Sequence, residues 1–195
     1  DRGVSLLIDI ENSIKATQSR GYEQWAKIHN LKQAAKTYNF LTTHGIEQYG
    51  DLIAKIAEVQ TASEQAAEAL KDVEARLSDM AVLIKNITTY QKTKAAYDAY
   101  RKAKDRGSYR AAHERNIILH EAAVKAIKGA GISKLPDIAA LQTEYAKLQE
   151  RKEALYAEYG KLKKQVKEYD VIKRNIDSIL RQPREPEQEK GKERE

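Results

Sequence analysis

Two runs of apolar residues recur at every third and fourth position along this chain. The first passes through Leu52, Ile56, Val59, Ser63, Ala66, Leu70, Val73, Leu77, Met80, Ile84 and Ile87. The second passes through Ile138, Leu141, Tyr145, Leu148, Lys152, Leu155, Tyr159, Leu162, Val166, Tyr169, Lys173, Ile176 and Leu180. Alternating steps of three and four keep one stripe of a helix turned toward one partner in a left-handed supercoil. The pattern predicts two long helical arms, spanning 51–104 and 136–181. Asp51 is placed to cap the first, and Pro136 is tolerated in the first turn of the second. With Leu52 set opposite Leu180 in an antiparallel pair, Ile56 faces Ile176, Ala66 faces Val166, Leu77 faces Leu155 and Ile84 faces Leu148. Lys152 then falls opposite Met80 and Lys173 opposite Val59, each able to lay its stem on the seam and send its ammonium to water. Periodicity alone allows the arms to close within one chain or to pair between two copies.

Past Ile87 the seam positions become Gln91 and Lys94, so close packing is expected to loosen while the helix continues through Tyr90, Tyr97 and Tyr100. Asp105-Arg106-Gly107-Ser108 reads as a break, with Ser108 capping a tip helix over 108–128 that ends at Gly129-Ala130-Gly131. Residues 1–50 read as a base of two amphipathic helices. One carries Leu6, Leu7, Ile10 and Ile14 and closes near Ser19-Arg20-Gly21. The other carries Trp25, Ile28, Leu31, Ala35, Tyr38 and Leu41 and closes at His44-Gly45. Trp25, Ile28 and His29 make a candidate binding face, though aromatic residues at helical spacing more often bury apolar area. The tail at 182–195 has no apolar anchor and is expected to be disordered. The expected fold is all-α: an elongated antiparallel coiled-coil hairpin with a helical tip and a short two-helix N-terminal base.

Composition sharpens this picture. Charged residues make up 33% of the chain and the mean hydropathy is −0.72, values that favour long helices with little interior over a thick core. No cysteine is present, which excludes disulfides and thiolate metal sites and fits a cytoplasmic protein. No apolar run approaches the roughly 20 residues that span a bilayer, so membrane insertion is not expected. With Asp at position 1 and Met80 the sole methionine, the chain is expected to be a piece of a longer protein. The net charge of +6 is unevenly spread. Between Lys85 and Lys134 twelve basic residues meet four acids, so that stretch carries +8 and the remainder −2.

Candidate chemistry is sparse. His113 and His120 stand seven apart, too far for one metal on a helix, where ligands sit three or four apart. The glycines are isolated and build no phosphate loop. No catalytic residue, metal site or cofactor is expected. The basic stretch is different, because lysine and arginine neutralise phosphates and tyrosine stacks on bases. Lys94, Tyr97, Tyr100, Arg101, Lys102, Lys104, Arg106 and Arg110 interleave there as candidate nucleic-acid contacts. A solvated basic face with packed tyrosines is the bland alternative.

Several segments carry a resemblance. They are Gly21-Tyr22-Glu23-Gln24-Trp25-Ala26-Lys27 leading into Asn30-Leu31-Lys32-Gln33-Ala34-Ala35, then Tyr97-Asp98-Ala99-Tyr100-Arg101-Lys102-Ala103. Leu135-Pro136, Leu141-Gln142-Thr143-Glu144-Tyr145 and Lys152-Glu153-Ala154-Leu155-Tyr156-Ala157-Glu158-Tyr159 complete the set. Over about Ser5 to Leu180 the chain resembles the C-terminal region of relaxases (mobilization proteins) from conjugative transposons of Gram-positive bacteria. In that family an N-terminal domain nicks DNA with a tyrosine beside a metal-holding histidine cluster. Neither motif has a counterpart here, so no catalytic residue carries over. The resemblance implies a non-catalytic accessory region of a DNA-transfer enzyme. Its partners would be DNA, as transfer origin or single strand, or conjugation accessory and coupling proteins. The competing reading is a coiled-coil spacer or dimerisation module without nucleic-acid affinity.

Overall fold

A computed structural model describes the backbone of residues 5–19 and 24–180 and the side chains of residues 5–15 and 31–180. The described residues are all-α, with α1 (Leu6–Ser19), α2 (Gln24–Thr43), α3 (Tyr49–Lys102), α4 (Arg106–Ala112), α5 (Glu114–Gly129) and α6 (Ile138–Leu180). The two long helices, α3 and α6, pack against each other as a hairpin within one chain. The side chains of Trp25, Ile28 and His29, the turn at Arg20-Gly21 and the tail from 182 lie outside the described residues. The contacts divide into two compact units, Asp1–Glu64 with Gly160–Glu195, and Gln65–Tyr159.

In the first unit Leu6 and Ile10 of α1, Phe40 and Leu41 of α2, Leu52, Ile56 and Val59 of α3, and Tyr169, Ile172 and Ile176 of α6 share one buried core. The short helices thus cover apolar surface that a bare pair of helices would leave wet. Gly45 ends α2 with φ of 64°. The Ile46 N–H reaches back to Leu41 O at 2.9 Å and the Gly45 N–H to Thr42 O at 3.3 Å. That paired closure satisfies the last carbonyls and needs a left-handed residue, a role suited to glycine. It also drives Ile46 into the core beside Leu41. The Leu6 N–H then bonds Glu47 O at 3.0 Å, tying the start of α1 to the same turn. Asp51 does not cap α3 from outside. The helix begins at Tyr49, and the Asp51 carboxylate, one turn in, accepts the Gln48 N–H at 3.2 Å. This is the reciprocal half of a capping box.

In the second unit Val73 and Leu77 of α3 and Leu148 of α6 form a buried cluster, flanked by Met80, Tyr145 and Leu155. Every seam residue expected on α3 from Leu52 to Ile87 is buried or half-buried, and on α6 only Leu180 is exposed. The stripes are therefore right, but their register is not. Arg76 pairs with Glu144 at 3.3 Å. The expected alignment would place Glu144 opposite Thr88, about 18 Å along the helix from Arg76. Lys152 pairs with Glu74 at 3.6 Å instead of lying on Met80. In the first unit the same displacement appears. Tyr49 Oη donates to Asp177 Oδ1 at 2.8 Å, and Lys173 bonds Asp177 Oδ2 at 2.8 Å instead of covering Val59. Both units are offset by close to one heptad from the expected alignment. A seven-residue slip leaves every stripe facing the partner, so periodicity cannot oppose it.

The tip also differs. The expected single helix over 108–128 is two, α4 and α5, joined at His113. Asp105, not Ser108, caps α4: its carboxylate accepts the Ser108 N–H at 3.1 Å and the Ser108 hydroxyl at 2.7 Å. Those two bonds hold the Asp105 carboxyl below the usual carboxylate range. Gly131, with φ of 75°, closes α5 by the same paired bonds as Gly45. Pro136 precedes α6, whose first turn is capped by Asp137 accepting the Ala139 N–H at 3.2 Å.

The register has a direct test. Cysteines at Leu77 and Leu148 should oxidise to an intrachain disulfide in dilute solution. Cysteines at Ile84 and Leu148, the pair of the expected alignment, should not, because one heptad separates them by about 10 Å along the helix, beyond the roughly 7 Å between Cα atoms that a disulfide tolerates. Leu77 is 7% exposed, so Leu77→Ala should lower unfolding free energy by about 2–4 kcal/mol in urea titrations. Exposed Glu68→Ala should change it by less than about 0.5 kcal/mol.

Candidate nucleic-acid interface

Beyond Ile87 the buried stripe of α3 does not fade into solvent. It moves onto Tyr90, Thr93 and Tyr97, against which α5 packs through Ile117, His120, Ala123 and Ile127. The centre of that contact is a histidine. His120 is 3% exposed and stacks on two rings of α3, Tyr90 at 4.8 Å and Tyr97 at 4.4 Å between centroids. Its Nδ1 lies 2.9 Å from Thr93 Oγ1. The single Thr93 hydroxyl proton is directed at Thr89 O, 2.7 Å away. With that proton engaged, the Thr93 oxygen is placed to accept from His120 Nδ1. Burial pushes the His120 imidazole below its ordinary pKa; the Tyr90 backbone, Asp98 and Glu121 oppose this, and Lys94 adds to it. The aromatic run continues outward through Tyr100, Tyr109 and His113, with Tyr109 4.3 Å from His113.

The eight sequence-nominated residues separate into three groups. Tyr97 and Tyr100 are half-buried and packed on neighbouring rings. Lys94 and Arg110 are neutralised: Lys94 meets Asp98 at 3.1 Å, and Arg110 meets Glu121 through two bonds of 2.9 and 3.3 Å. Arg110 also lies 5.8 Å above the Tyr100 ring. The pairing raises the Arg110 pKa and lowers that of Glu121. Arg101, Lys102, Lys104 and Arg106 remain, all exposed at the corner between α3 and α4. Arg106 donates to Arg101 O at 3.1 Å, closing the end of α3. Among the described residues no acid pairs with any of these four.

Beside the corner an open groove of about 640 Å³ runs between α3, α5 and the loop before α6. Tyr97 and His120 line it from within, Val124 and Ile132 add apolar wall, and Arg101, Lys125 and Lys128 bring positive charge. Reading the sequence did not nominate His120, Thr93, Lys125 or Lys128. His120 had a visible signal, since it stands three residues after Ile117 and three before Ala123, on the apolar stripe of its helix. Lys125 and Lys128 had none, because their value comes from facing Arg101 across a groove. No helix of the described residues is long and apolar enough to cross a membrane. Comparison of the chain with protein-family models, curated proteins and solved structures finds no match in any of the three.

The buried imidazole makes stability pH-dependent with a definite sign. Its folded pKa lies below the unfolded value near 6.5, so the unfolded chain holds more protons in between. The stability gained by burying neutral His120 is complete above about pH 6.5 and is lost as pH falls through that value toward the lowered one. Thermal unfolding at about pH 7.5 and 5 should show the native chain losing more stability than a His120→Phe variant, which keeps a stackable ring but cannot titrate. Equal losses would mean that His120 is not held neutral.

Proposed function

We propose that this chain is a non-catalytic accessory region of a conjugative relaxase that contacts DNA through phosphates at the α3–α4 corner. The observation that supports this reading is the set of exposed, acid-free cations Arg101, Lys102, Lys104 and Arg106, gathered within six residues. Their neighbours Lys94 and Arg110 are already neutralised by Asp98 and Glu121, so the corner is where the net positive charge of the 85–134 stretch is available. Phosphate neutralisation releases condensed counterions and supplies affinity without reading sequence. The relaxase assignment draws on the resemblance of the aromatic segments, and a cytoplasmic setting follows from it. Tyr97 and Tyr100 serve this reading as supports for the corner, each half-buried with its ring packed on a neighbouring ring.

Fluorescence anisotropy with a labelled duplex tests the proposal. Affinity should fall with salt at a log–log slope of about −0.9 per phosphate neutralised, or about −3 to −4 for the full corner. A Lys102→Glu, Lys104→Glu, Arg106→Glu variant should weaken binding to every sequence alike and flatten the slope. Absence of binding at low salt, or binding untouched by the reversal, would move the chain to the spacer and dimerisation class.

A further inference from the structure

We propose that the groove beside the corner is a nucleotide pocket, taking a base against Tyr97, Val124 and Ile132 and its phosphate on Arg101, Lys125 and Lys128. The charge balance of the lining points to an anion. Asp98 and Glu121 also line the groove, but each is matched by a cation at its edge, Lys94 and Arg110. Arg101, Lys125 and Lys128 have no acidic partner among the described residues, so the uncompensated charge around the groove is positive. The remaining lining points to a flat, weakly polar body. Half-buried Tyr90 and Tyr97 supply aromatic surface, Val124 and Ile132 supply apolar surface, and the Ser133 hydroxyl is a hydrogen-bonding group on the same wall. A space of about 640 Å³ lies within the range of small-molecule sites, which combine apolar walls with few polar groups. An inorganic anion would leave the apolar wall unused, and an apolar ligand would leave three cations unused. A nucleotide uses both.

The wall is also built to hold its shape. His120 is clamped between Tyr90 and Tyr97 and bonded to Thr93, so α5 is fixed on α3 at the level of the groove. Gly131 closes α5 and turns Ile132 back toward Ile127, and both line the same space. A preformed wall avoids ordering costs on binding.

This inference rests on the nucleic-acid reading for one of its two sources: the nucleotide is either a base carried by a single strand or a free mononucleotide. The experiment uses the whole chain, a labelled strand of about ten thymidines, a strand of equal length lacking bases, and free dTMP, with stacking expected to favour the thymidine strand about tenfold. Lys125→Glu with Lys128→Glu, both exposed changes, should abolish that preference, and Val124→Asp should do the same while helicity is retained. Reversal of Lys102, Lys104 and Arg106 should instead weaken both strands and leave their ratio intact. Competition by dTMP supports a pocket open to mononucleotides, and an intact base preference without competition supports one used by bases in a strand. Equal affinity for the two strands, with no dTMP binding, overturns the pocket and leaves the phosphate-binding corner standing. Base preference that survives both groove variants does likewise. Binding of dTMP without either strand upholds the pocket and overturns the DNA reading, and no binding of any probe overturns both.

Discussion

A helix of 54 residues with an apolar stripe along most of its length cannot bury that stripe by itself, and the rest of the molecule is arranged to cover it. Near its start, α3 is covered by α6 together with α1 and the end of α2, which share the core around Leu52, Ile56 and Val59. Through Val73 and Leu77 it is covered by α6 around Leu148. Past Ile87 the stripe turns onto Thr93 and Tyr97, where α5 is the partner. The last change of partner coincides with a change in residue type. Where α6 alone covers it the stripe is aliphatic and close-packed, and where the short α5 must hold on, it gains rings and a buried hydrogen bond. Aromatic surface buries more area per residue, and a satisfied buried pair fixes one docking geometry that aliphatic contacts leave loose.

The elements and their stripes were legible in the sequence because helical periodicity and glycine stops are local signals. Gly45 and Gly131 end their helices where the pattern placed them, since each sits just past the last apolar repeat and each must adopt a positive φ. The register was not legible. A heptad pattern repeats, so alignments seven residues apart present equally continuous seams, and the choice falls to pairs at the edges. Glu74 with Lys152, Arg76 with Glu144 and Tyr49 with Asp177 select the observed one. Surface pairs of this kind contribute about 0–1 kcal/mol each, too little for composition to reveal yet enough to separate near-equal alternatives. Caps failed for a related reason. Asp51 and Asp105 each bond a residue three positions away, Asp51 backward to the Gln48 N–H and Asp105 forward to the Ser108 N–H, and the sequence does not say which of the two residues starts the helix. For the candidate site, sequence found the basic corner and missed the groove, because no local pattern relates Arg101 on α3 to Lys125 and Lys128 on α5.

Packing and charge are coupled at the tip. Lys94 with Asp98 and Arg110 with Glu121 flank the buried His120, and each pair keeps a charge of either sign from facing an aromatic cluster unbalanced. Those pairs neutralise the cations nearest the core. They thereby displace the field outward, onto Arg101, Lys102, Lys104, Arg106, Lys125 and Lys128. A chain optimised only for a stable fold would have placed acids among these. Arg101 and Lys102 gain from the carbonyl end of α3, where cations are favoured. Lys104 lies beyond the helix and Lys125 lies inside α5, away from its last turn, so neither has that compensation.

Uncompensated like charges within a few residues repel one another inside a Debye length of about 10 Å. The repulsion is small for side chains in water, and the carbonyl end of α3 offsets it only in part, at Arg101 and Lys102. Asp105, the one acid within the corner, is committed to the Ser108 N–H and hydroxyl and serves as the cap of α4. Substituting a second acid nearby would relieve the repulsion at no cost in packing, since Lys102 and Lys104 are exposed. Polyanion binding converts the same repulsion into affinity, because each phosphate that replaces mobile counterions lowers the energy of several cations at once. On the proposed reading, that conversion is what the corner is for.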